Sequence, residues 1–304
     1  MDMNTLYKNL TPPKGVVDCV LDTDTYNEID DQFALAYMLK CPEKMNVKAI
    51  YAAPFFNNRS SSPCDGMQRS YDEILKVLHF MHREDMIPNV FKGSENYLPD
   101  EKTPVISDAA KHLASLAMGY TPEKPLYVVA IGAITNVASA LILNPEISDR
   151  IVVVWLGGHS FEKENTGEFN MVQDIAAARV VWNMAEFLVQ LPCAGVVEHF
   201  SISAPELREY LLGKGDLCTY LAQNTLDYME RFSDRCWTKP IWDLTAPAWL
   251  MNENSKYMDQ RIIYRRLPNY DKQYNYSEGH KLMAYIEAIH RDNLMTDMVA
   301  KLTN

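Results

Sequence analysis

Short, mostly apolar runs alternate along this chain with longer stretches in which apolar residues return at helical spacing. The runs at 16–21, 47–53, 126–131, Ile151–Leu156 and Phe187–Leu191 have the length and β-branched content of strands buried on both faces. Between them, apolar positions three and four apart predict helices. One begins at Asp30-Asp31 and runs through Leu39. Another spans 66–82, with Tyr71, Ile74, Leu75 and Leu78 as its stripe. Further helices are expected at 107–118, with Ser107 as cap, at 137–143 and at 174–184. The polar stretches 54–63, 92–104 and 159–170 read as loops. Beyond residue 191 the pattern turns more helical, at 204–212, 217–232, 241–250 and 293–302. Strands are predicted at 261–265 and where Leu282, Ala284, Ile286 and Ala288 alternate.

Buried strands alternating with helices predict an α/β fold: an open, mostly parallel sheet with helices on both faces. With no repeat, low-complexity segment or linker, residues 1–304 read as one domain. In such folds ligands bind at the carboxyl ends of the strands. The loop after residue 21, the turn at Gly132 and the loop opened by Gly157-Gly158 all belong to that edge.

Composition narrows the partners. A formal net charge of −11 argues against a nucleic-acid surface, since phosphates repel an acidic protein. No apolar run reaches membrane-spanning length, and residues 1–8 lack the apolar core of a signal peptide. Six scattered cysteines (Cys19, Cys41, Cys64, Cys193, Cys218, Cys236) form no metal-binding spacing. They read as reduced thiols of a cytoplasmic protein.

The chemistry concentrates where the first run ends. Asp22-Thr23-Asp24 extends the strand, and Asp30-Asp31 opens the next helix. Four carboxylates in so small a volume repel unless a cation joins them or some are protonated. Hard oxygens of this kind suit Ca²⁺ or Mg²⁺. Helix capping alone would account for Asp30 and Asp31, but not for Asp22 and Asp24.

These residues resemble the inosine–uridine-preferring nucleoside hydrolase family, whose hallmark is an Asp-x-Asp-x-x-x-Asp-Asp loop. Here two extra residues separate the pairs. Ile131-Gly132-Ala133-Ile134-Thr135-Asn136, Leu156-Gly157-Gly158, Glu168-Phe169-Asn170 with Asp174 and Ala176-Ala177, and Trp242-Asp243 are similar to further family motifs, in the family's order. The matches extend over roughly 220 residues, which is the context a motif needs. The resemblance implies a bound Ca²⁺ and hydrolysis of the N-glycosidic bond of ribonucleosides. It implies that Asp24, Asp31, Asp243 and the Ile131 carbonyl ligate the ion, with Asp24 also the general base. Asp30, Asn57, Glu168 and Asn170 would bind the ribose, and Asp22 would support the loop. A homo-oligomer, dimer or tetramer, is also implied.

The pattern departs from the family in three places. Trp242 stands where many members have His. Its indole cannot donate a proton at neutral pH, but it can stack on a purine and favour a protonated, cationic ring. This resembles the purine-preferring branch. Tyr26-Asn27-Glu28 replaces the usual Pro-Gly turn, and residues 54–58 lack a Gly-Asn pair, so Asn58 competes with Asn57. Asn165 is the candidate for a second sugar-binding Asn, and His159, following Gly157-Gly158, is expected to face the site. Two rival readings share the acidic motif: a haloacid dehalogenase-like, Mg²⁺-dependent phosphatase, and a nucleoside- or sugar-binding protein without catalysis.

Overall fold

A computed structural model describes residues 2–232, 238–277 and 280–304. Its central sheet contains β1 (Val17–Thr23), β2 (Met45–Ala52), β3 (Val90–Lys92), β4 (Leu126–Ala130), β5 (Ile151–Leu156), β6 (Phe187–Leu191), β7 (Met258–Tyr264) and β8 (Leu282–Ile289). The spatial order is β3-β2-β1-β4-β5-β6-β8-β7. All neighbours are parallel except the edge strand β7, which runs antiparallel to β8.

The apolar runs follow from burial on both faces. Cys19 and Leu21 of β1, Val129 of β4 and Val152 and Val154 of β5 point into one core. Helices Asp31–Leu39, Pro63–Phe80, Thr245–Leu250 and Arg291–Thr303 close that core. Val20, Val128, Val153 and Trp155 point into the other, under helices Asp108–Leu116, Thr135–Leu143 and Ile175–Met184. In the central strands β4, β5 and β6 successive side chains thus alternate between two apolar layers, and no position there signals a solvent face.

Several ends follow local chemistry. Ser107 Oγ accepts from Ala110 N at 3.1 Å, capping its helix as expected. The helix predicted from 66 starts earlier, at Pro63, because Ser62 caps it by accepting from Asp65 N. Some features carry little periodic signal and lie outside the sequence expectation, among them β3, the helix Met3–Asn9, the short helix Phe169–Gln173, and the antiparallel pairs of Ser201–Ser203 with Thr238–Pro240 and of Leu267–Pro268 with Tyr274–Asn275. Cys19, Cys41, Cys64, Cys193 and Cys218 are free thiols, and Cys236 lies outside the described residues. Among the described residues no helix is long and apolar enough to cross a membrane.

Candidate active site

Parallel pairing brings the carboxyl ends of β1, β4 and β5 to one edge, and the acidic residues leave from there. Ile131 N donates to Asp22 O (2.9 Å) and Ala53 N to Thr23 O (2.8 Å), so the sheet is pinned up to the point where the chain turns out. Asp22 points away from the opening and accepts from Asn136 Nδ2 at 2.8 Å. This suits the supporting role read for it. Asp24 turns the other way, beside Gly132, where an added Cβ would lie 3.0 Å from the Asp24 carboxyl carbon.

The longer loop between the acidic pairs is tied down on several sides. Gln32 Nε2 donates to Thr25 O (2.8 Å), the Arg59 guanidinium donates to Glu28 O (3.0 Å) and lies 4.5 Å from the Tyr26 ring centre. Asp30 occupies the cap position of the next helix, yet its side chain makes no capping bond. Instead Asp30 Oδ2 accepts from Asp243 N at 3.2 Å, and Thr23 Oγ1 donates to Asp31 Oδ1 at 2.5 Å. Capping therefore does not account for Asp30.

Asp30, Asp31 and Asp243 converge, each with a carboxylate oxygen within 4.8 Å of the other two. At that spacing and an effective dielectric of 20, each like-charge pair repels by about 3 kcal/mol. Burial and this repulsion raise all the acids. Asp31 is pushed up to about 7, first by burial and then by Asp30. Asp24 is raised by burial and then by Asp31, Asp30 and Glu168; Asp243 is raised by burial, then Asp30, Asp31 and Asp24. Asp30 is raised by burial, with Lys239 as the main opposing influence. Both oxygens of Asp24 and Oδ2 of Asp31 are buried without a hydrogen-bond partner. Unpartnered, anionic, hard oxygens held together fit a divalent cation with oxygen ligands.

A cleft of about 230 Å³ opens here, lined by Asp30, Asp243, Ile131, Glu168, Asn170 and Asn57 on one set of elements. Asn170 Nδ2 bridges the ends of β4 and β5 by donating to Ile131 O (3.2 Å) and Leu156 O (3.0 Å). The Glu168 carboxylate accepts from Gly158 N, Asn170 N and Met171 N at 2.8–2.9 Å. Those bonds cap the short helix Phe169–Gln173, while burial lifts Glu168 to about 7. Asn57, rather than Asn58, lines the cleft, its Nδ2 donating to Asn27 Oδ1 at 2.6 Å. A larger depression of about 630 Å³ lies near the start of β1, among Tyr7, Lys8 and Pro12. None of the acidic cluster lines it.

Asn27, Glu28, Trp242, His159 and Cys193 also line it, with Leu156, Gly167 and Phe169. His159 Nδ1 accepts from Ala194 N at 3.2 Å, and burial followed by Lys163 lowers its pKa. The ring is thus neutral with its hydrogen on Nε2. Asn165 is not drawn into the site. It is exposed, lies outside the cleft lining, and folds back to accept from Gly167 N (2.8 Å), as Asn does in a turn.

Sequence reading missed a buried cation. Lys239, 4 % exposed, sits on the Thr238–Pro240 segment with its ammonium 2.6 Å from Glu28 Oε2 and 3.7 Å from the Trp242 ring centre. Glu28 Oε1 also accepts from Tyr228 OH at 3.2 Å. The Lys-x-x-Trp spacing was visible, but it points to nothing without the fold.

Residues 19–287 match the profile described as inosine-uridine preferring nucleoside hydrolase. A probable uridine nucleosidase 2 of Arabidopsis thaliana is 26% identical over 229 residues, 67% of each chain. An inosine-uridine preferring nucleoside hydrolase of Leishmania major is 36% identical over 95 residues, 30% of each. Among solved structures, a plant nucleoside hydrolase superposes with a TM-score of 0.73 at 18% identity, covering 94% of this chain and 99% of that one. A purine-preferring ribonucleoside hydrolase from Gardnerella vaginalis gives 0.70 at 17%, covering 94% and 98%. At those identities the superpositions speak for the fold, and the profile match speaks for descent. The chain belongs to the inosine-uridine preferring nucleoside hydrolase family, enzymes that hydrolyse the N-glycosidic bond of nucleosides.

Proposed function

We propose that this protein is a calcium-dependent ribonucleoside hydrolase, with purine nucleosides preferred, acting in the cytoplasm as a homo-oligomer. The observation that carries the reading is the convergence of Asp30, Asp31 and Asp243, with unpartnered oxygens on Asp31 and on Asp24, whose carboxyl burial and the nearby Asp31, Asp30 and Glu168 push up. Asp24, Asp31 and Asp243, with the Ile131 carbonyl, would hold the ion. When bound, Ca²⁺ polarises a water and accepts a vicinal diol in its loose coordination shell.

The chain's own residues supply the rest. Asp24, with both oxygens free of other partners, is the base that takes the proton from the attacking water. Asp30, Asn57, Glu168 and Asn170 orient the ribose. The surrounding carboxylates favour the positive charge that grows on the sugar ring as the glycosidic bond breaks. Trp242 offers a flat apolar surface for the base, and His159 a neutral N–H beside it. The larger faces of purines gain more from such a surface than pyrimidines, which supports the purine preference.

The test is release of reducing sugar from inosine, adenosine, guanosine and uridine, with and without chelator. Release that chelator abolishes and Ca²⁺ restores is the expected result. Phosphate release from p-nitrophenyl phosphate, with no sugar released from any nucleoside, would favour the phosphatase reading instead.

A further inference from the structure

We propose that Lys239 is a specificity-setting, positioning residue that makes Trp242 a platform for neutral nucleobases and turns it against cationic ones. The inference rests on the nucleoside hydrolase reading and goes beyond it. Trp242 and Glu28 line the cleft, whereas Lys239 is buried and does not. Its ammonium lies against the face of the indole, 3.7 Å from the ring centre, and is held there by Glu28 Oε2 at 2.6 Å and Pro240 O at 3.1 Å. One face of Trp242 is therefore already occupied by a cation.

An aromatic face attracts a cation through its electron-rich quadrupole. A ring whose other face already carries an ammonium has that electron density drawn away. A protonated or alkylated purine stacked on the open face would also sit across one indole from a like charge. A neutral purine has no such penalty and keeps its stacking and burial. On this proposal the arrangement runs against the sequence expectation that Trp242 favours a cationic ring. Glu28 offsets part of the ammonium's charge, so the pair has opposite effects on discrimination: losing Lys239 relaxes it and losing Glu28 sharpens it. A scaffold role for the ion pair would instead move both variants in the same direction.

The experiment compares kcat/KM for guanosine and for N7-methylguanosine, a cationic purine nucleoside in mildly acidic buffer, across wild type, Lys239→Met, Lys239→Arg and Glu28→Gln. Intrinsic bond lability cancels when the ratio of the two substrates is compared between variants. Lys239→Met is expected to raise the relative preference for the cationic substrate about tenfold, equivalent to about 1.4 kcal/mol, mostly through KM. Lys239→Arg is expected to keep the wild-type ratio, and Glu28→Gln to lower it several-fold. Equal losses for both substrates in Lys239→Met, with an unchanged ratio, overturn the proposal. Should Lys239→Met fail to fold, Lys239→Gln carries the test, and an unchanged or lowered ratio there overturns the proposal. Wild type that releases sugar from neither substrate refutes the nucleoside reading itself, and the inference falls with it.

Discussion

Two clusters of side chains lie at the cleft, each with some members in its wall and others buried behind it, and they are built differently. The first gathers Asp24, Asp30, Asp31 and Asp243 with Ile131 and Asn170, residues at the carboxyl ends of strands or at the starts of the helices that follow. The second gathers Glu28, Lys239 and Trp242 from the lengthened loop and from the chain leading to Asp243. The first carries excess negative charge with oxygens left open. The second balances its charges internally, acid against ammonium against ring. A cluster with unbalanced charge is built for an ion and for chemistry, whereas one whose charges are paired is built to present a shape, although the buried Trp242 indole N–H has no partner among the described residues. Mutations in the two should therefore fail in different ways.

The largest effect is expected in the first cluster. Asp24→Asn or Asp243→Ala should lower kcat for ribose release by roughly a thousandfold or more, about 4 kcal/mol of transition-state stabilisation. A variant within tenfold of wild type would remove the acids from the chemistry. In the second cluster, Trp242→Ala should cost roughly 10–100-fold in kcat/KM for purine nucleosides, with KM carrying most of it, since the ring is read as a binding surface. If kcat alone falls, Trp242 acts in the chemical step and the contrast between the clusters dissolves.

The charge imbalance also sets a pH dependence. Burial holds Asp22, Asp31 and Glu168 at about 7 in the folded chain, against roughly 4 for such groups when unfolded. Between those values the folded state binds more protons than the unfolded state, so stability falls as pH rises. The metal-free protein should lose thermal stability from about pH 4 to pH 7, and Ca²⁺ should raise Tm most at and above pH 7, where the acids are free to bind it. A chelated protein whose Tm climbs across that window would contradict the buried state of these acids. The smallest effect serves as a control remote from both clusters. Ser107→Ala should cost about 1 kcal/mol of stability through loss of its cap and leave kcat and KM unchanged.

How much of this was legible depends on the range over which each signal acts. Ser107 capped its helix as read, and Leu282 to Ala288 alternated as a strand, because caps and two-residue periods are local. The acidic pairs were legible for the same reason: carboxylates that end an apolar run stand out where the chain should be burying apolar groups. Asn165 was misplaced because an Asn in a polar loop satisfies its own backbone as readily as a ligand, and here Gly167 N took its oxygen. β3, three residues long and ending on an exposed lysine, was too short for any period to register.

The sequence by itself determined the long buried strands, the helices between them and the positions of the acids at strand ends, since burial on both sides of a parallel sheet writes itself as apolar runs broken by polar loops. Only the tertiary structure decided which of those acids meet. Asp243 reaches Asp30 across 213 positions of chain, and Lys239 comes to lie under Trp242 because the short strand Thr238–Pro240 pairs with Ser201–Ser203. Such meetings depend on how irregular segments pack onto a finished core. No periodicity along the chain encodes them.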